Sequence, residues 1–97
     1  MPQTILVVED EAQVRTLLAK LLEKNDYEVS TASDGLEAMK YLEESRPDLM
    51  LVDVMMPRLD GFSFVKAVRY HEGNRQIPII FLTAKTDARS MIEGINV

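Results

Sequence analysis

Acidic and hydroxyl residues stand directly behind short apolar runs at three places in the chain. Glu9-Asp10 follows Ile5-Leu6-Val7-Val8, Asp53 follows Leu49-Met50-Leu51-Val52, and Thr83 closes the run from Ile77 to Leu82. Continuous apolar runs of this length suit strands buried on both faces. In an open α/β sheet the ligand sits beyond the carboxyl ends of such strands. Glu9, Asp10 and Asp53 are therefore expected to meet, and carboxylates brought together repel one another unless a cation sits among them. Oxygen donors, in a chain with no cysteine and one unremarkable histidine, favour Mg²⁺, which uses one or two carboxylates and keeps places for water and a phosphate oxygen. One acid at one strand end needs no more explanation than the strand's exit into water. The three together, each behind a buried run, point to a metal site.

The elements that must carry these residues alternate along the chain. Val14, Leu17, Leu18, Leu21 and Leu22 recur at helical spacing, with Arg15, Lys20, Glu23 and Lys24 off that stripe. The leucines are expected in the core, since two turns are too few for a zipper. Tyr27 to Ala32 reads as a second strand. Asp34 followed by Glu37 has the form of a capping box, opening a helix whose apolar face includes Leu36, Met39 and Leu42. Pro47 stops that helix by driving the residue before it out of the helical region. Behind the turn-like Pro57-Arg58-Leu59-Asp60-Gly61, residues Phe62, Val65, Val68 and Arg69 fall on a third helix. Asp87 is placed to cap a last short helix running through Ile92 and ended by Gly94. The order is βαβαβαβα, which implies a parallel sheet covered on both faces by right-handed crossovers. A doubly wound α/β domain is the expected fold.

Composition narrows the function classes. Ninety-seven residues, 46% hydrophobic and 28% charged, make one ordinary globular unit and not a disordered chain. A net charge of −5 disfavours direct binding to nucleic acid. The absence of cysteine removes disulfides, thiolate metal sites and a cysteine nucleophile. The start, Met-Pro-Gln-Thr, has neither the basic nor the long apolar segment of a signal peptide, and no apolar run reaches membrane-spanning length. A cytoplasmic setting is expected. No G-x-x-x-x-G-K-[ST] is present, so a P-loop nucleotidase is excluded.

The ordered set Ile5-Leu6-Val7-Val8-Glu9-Asp10-Glu11, Asp48 through Pro57, Asp60-Gly61 and Pro78 through Ala84 resembles the receiver domain of a bacterial two-component response regulator. The resemblance runs from about residue 4 to Val97. It implies a flavodoxin-like sheet in the order 2-1-3-4, the order for which a chemotaxis receiver is itself a standard example. It implies Asp53 as phosphoacceptor, Asp10 as a metal-binding acid, Glu9 as its neighbour acting on the metal, and the backbone carbonyl of Met55 as a further ligand. Thr83 would be the hydroxyl that follows the phosphoryl group, and the Ala84 amide would help hold its oxygens. Mg²⁺ is the implied cofactor, and a sensor histidine kinase or phosphotransfer protein the implied phosphodonor.

A complete receiver of this kind goes on to a fifth strand ending in a lysine, then a fifth helix. Residues 1–97 are therefore expected to be a receiver incomplete at its C-terminus. Truncation there would leave Ile77 to Leu82 at the sheet edge, and this edge or the last helix is where a homodimer would form. Two other functions are open on the residues alone. One is a pseudo-receiver that binds partners without being phosphorylated. The other is a Mg²⁺-dependent aspartyl-phosphate phosphatase, a class that resembles this one but wants a second Asp where this chain has Met55.

Overall fold

A computed structural model describes residues 2–54, 61–70 and 76–82. Its elements are β1 (Thr4–Val8), α1 (Ala12–Lys24), β2 (Glu28–Ala32), α2 (Gly35–Glu44), β3 (Leu49–Asp53), α3 (Gly61–Tyr70) and β4 (Ile79–Leu82). The strands form one sheet in the order β2-β1-β3-β4, and every pairing is parallel. The doubly wound architecture is as the alternation of strand and helix implied. The last helix expected from Asp87 to Ile92 lies outside the described residues, as do Met55, Thr83 and Ala84.

Side-chain alternation along the strands divides the core in two. Leu6, Val8, Met50, Val52 and Phe81 face α2 and α3, where Ala38, Leu42, Phe64, Val65 and Val68 complete a closed cluster. Ile5, Val7 and Leu51 face the other way, toward Leu18 and Leu22 of α1. The first cluster is the mechanical base of the domain, because most of its members are wholly shielded from water. Burying each such aliphatic side chain stabilises by roughly 1.5–3 kcal/mol.

Three sequence expectations need correction. The leucine stripe of α1 is only half used: Leu18 and Leu22 pack on the sheet, whereas Leu17 and Leu21 are 67% and 55% exposed. No residue of α1 is fully buried. Among the described residues α1 alone packs on this sheet face, and it meets the strands only along the edge of the stripe nearest them. In α2 the buried line is Gly35, Ala38 and Leu42, with Met39 beside it, and Leu36 points outward. The small residues Gly35 and Ala38 let the helix lie close to the sheet, which places Leu36 on the far side. The capping box at Asp34 is also only half formed. Asp34 accepts from the Glu37 amide at 2.8 Å, but the Glu37 carboxylate takes its bond from the Ser33 hydroxyl at 2.7 Å. The element ends shift slightly as well. Tyr27 is exposed and lies just before β2, its amide donating to the Leu22 carbonyl, and β4 begins at Ile79, after Pro78.

Candidate functional site

The sheet order brings the first and third strands side by side, so their carboxyl ends open at one place. Ile5 to Val8 pair in register with Leu49 to Val52, and the next residue along each strand is Glu9 on one and Asp53 on the other. The main chain there is held on both flanks. The Glu9 amide donates to the Ala32 carbonyl at 3.0 Å, extending the β1–β2 ladder one residue past its end. The Val54 amide donates to the Leu82 carbonyl at 3.0 Å, doing the same between β3 and β4. These bonds fix the direction in which the acidic side chains leave the sheet.

Glu9, Asp10 and Asp53 converge, each offering a carboxylate oxygen within 4.8 Å of the others. Glu9 and Asp53 are 6% and 8% exposed, and Asp10 is the most open of the three. Such crowding has an electrostatic cost, visible at Glu9. Its pKa is pushed up from an ordinary 4.5 to about 8, first by burial, then by the hydrogen bond it shares with Asp53 and by the charges of Asp53 and Asp10. The amide of Glu11 acts in the opposite direction. Without a cation, Glu9 at neutral pH keeps a proton and donates it to the Asp53 carboxylate.

The donor set fits a hard divalent cation. Its donors are carboxylate oxygens, their spacing suits a shared ion, and a cation would offset the burial and the like-charge repulsion that together hold Glu9 protonated. Three of the site residues expected from the sequence are thus brought together. The remaining three, Met55, Thr83 and Ala84, lie outside the described residues, although the chain enters each segment from a strand end beside the cluster.

One contact at the site was not legible as such in the sequence. Arg15, in the first turn of α1, turns its side chain back so that Nη1 donates to the Glu9 carbonyl at 2.8 Å and lies 3.4 Å from that of Asp10. By type and position it reads as part of a solvated helix face. The available signal is that a cation in the first turn opposes the helix dipole, which calls for a partner elsewhere.

Comparison with known proteins gives a consistent result. Residues 5–97 match the response regulator receiver domain family. The alkaline phosphatase synthesis transcriptional regulatory protein PhoP of Bacillus subtilis is 44% identical over 96 residues, which is 99% of this chain and 39% of that protein. The chain spans about two fifths of the length of the curated relatives it matches. Among solved structures, the chemotaxis protein CheY4 of Vibrio cholerae superposes with a TM-score of 0.89 at 37% identity, over 97% of this chain and 78% of that one. The receiver domain of a Pseudomonas aeruginosa sensor histidine kinase superposes with a TM-score of 0.83 at 33% identity, over 97% of this chain and 80% of that one. That structure has a magnesium ion coordinated in its active-site cleft.

Proposed function

The chain belongs to the response regulator receiver domain family, and from that premise we propose that Asp53 is its phosphoacceptor. The phosphodonor is a phosphohistidine of a sensor kinase or of a phosphotransfer protein. An Asp53 carboxylate oxygen attacks phosphorus, the bond from phosphorus to the imidazole nitrogen breaks, and that nitrogen keeps the electron pair. The product is an acyl phosphate on Asp53 and a free histidine on the donor. The observation that carries this reading is the convergence of Glu9, Asp10 and Asp53 at the open ends of β1 and β3.

Asp10 and Asp53 would hold Mg²⁺ directly, Glu9 would act on it through water, and the Met55 carbonyl would complete the protein ligands. When bound, the ion supplies charge neutralisation for the oxygens of the transferring group. The protein's own part is to keep the largely buried Asp53 carboxylate directed at the donor and to exclude water behind it. Thr83 and the Ala84 amide are proposed as the groups that take the new phosphoryl oxygens, so that the added charge repositions the segment after β4. Position 55 bears Met and offers no second acid for hydrolysis, which supports a stoichiometric acceptor over a turnover enzyme. Several full-length relatives are named as transcriptional regulators, and a transcriptional output is proposed for the protein this receiver serves.

The test is a titration with beryllofluoride, a phosphoryl mimic, followed by NMR. Saturable shifts at Asp53 and its neighbours that need Mg²⁺ and vanish in Asp53→Asn are expected. No binding in the presence of Mg²⁺ would favour a receiver-like interaction module instead.

A further inference from the structure

We propose that Arg15 is a positioning residue for the metal site, clamping the main chain of Glu9 and Asp10 so that their carboxylates stay directed at Asp53. This role rests on the reading of that cluster as a Mg²⁺ site. Arg15 ties three consecutive residues to itself. Its side chain bonds the Glu9 carbonyl at 2.8 Å and approaches the Asp10 carbonyl at 3.4 Å, while its amide donates to the Glu11 carbonyl at 2.9 Å. Glu9 is thereby held from both sides, because its amide is already bound to Ala32. Glu11, the residue that opens α1, makes no side-chain capping bond, so local capping does not fix this turn.

The placement is not explained by helix stability. A cation in the first turn faces the positive end of the helix dipole, an unfavourable position that the two carbonyls offset. Nor is Arg15 placed as a counter-ion, because among the described residues its side chain bonds main-chain oxygens and not the acidic side chains. A planar guanidinium suits this task, since its fixed fork of donors can meet neighbouring acceptors at once.

The two possible roles of this cation have opposite signs, which makes the proposal testable. Charge alone says that removing Arg15 beside an acidic cluster tightens Mg²⁺ binding. Positioning says that it weakens it. Mg²⁺ is titrated calorimetrically into the 97-residue chain and into Arg15→Ala and Arg15→Lys, with urea-unfolding midpoints taken without the metal. Arg15→Ala should bind Mg²⁺ at least about 10-fold more weakly, as loss of a ligand-orienting group does. Arg15→Lys, which keeps the charge but loses the planar fork of donors, should fall between the two. Equal or tighter binding by Arg15→Ala overturns the clamp. If Arg15→Ala does not fold, Arg15→Lys decides: weaker binding at unchanged stability supports the role, and undiminished binding overturns it. A wild-type chain that binds no Mg²⁺ overturns the metal reading itself, and this role with it.

Discussion

Glu9 and Asp53 are ionisable groups placed where water barely reaches, and that placement sets a measurable pH dependence. Unfolded, Glu9 ionises near 4.5; folded and without metal, it holds its proton until about pH 8. Between those values the folded state binds more protons than the unfolded one, so this group's contribution to stability falls as pH rises and levels off above the folded pKa. Urea-unfolding midpoints without Mg²⁺ should decline from pH 5 to 8 in the wild type and decline less in Glu9→Gln. Identical pH profiles for the two proteins would contradict the assignment of the buried proton to Glu9. Asp10→Asn removes one of the charges that raise Glu9, so the metal-free protein should keep or gain stability while Mg²⁺ binding weakens by about 10-fold or more. Equal Mg²⁺ affinity in calorimetric titrations of mutant and wild type would remove Asp10 from the ligand set. These acids were legible in the sequence because strand ends in a parallel sheet are predictable places. Arg15 was not, because its role depends on the direction of a long side chain that type and spacing leave undetermined.

At the scale of the elements, the leucines of α1 show what periodicity can and cannot say. Five apolar residues at helical spacing correctly announce a helix, but how wide a stripe is buried depends on what packs against it. Here the sheet covers Leu18 and Leu22 and leaves Leu17 exposed. Leu17→Ala should therefore change stability by no more than about 0.5 kcal/mol, the range of ordinary surface substitutions. Phe64→Ala, in the closed cluster under α3, should cost about 3–5 kcal/mol through lost burial and the cavity left behind. Thermal or urea unfolding of the two variants separates these outcomes, and similar losses would mean that Leu17 carries packing its exposure does not indicate. The start of α2 was better marked. Asp34 caps Glu37 as the sequence suggested, yet the carboxylate of Glu37 goes to Ser33, a choice between two nearby donors that the pattern alone does not make.

The whole molecule turns a sequence order into a chemical site. Because β3 crosses over to pair with β1, acids 44 residues apart in the chain end up sharing a hydrogen bond. The alternation of strands and helices announced a parallel sheet, while the 2-1-3-4 order came from resemblance and not from periodicity. The order is what matters for function: with β1 and β3 apart, Glu9 and Asp10 could not reach Asp53. The most direct test of the account is to locate the acyl phosphate. The chain is treated with acetyl phosphate and Mg²⁺ and the modified carboxylate is identified by mass spectrometry, beside Asp53→Asn as control. Phosphate on Asp53 in the wild type, with none in the variant, is the expected result. Phosphate recovered on another carboxylate, or undiminished labelling in Asp53→Asn, would contradict it.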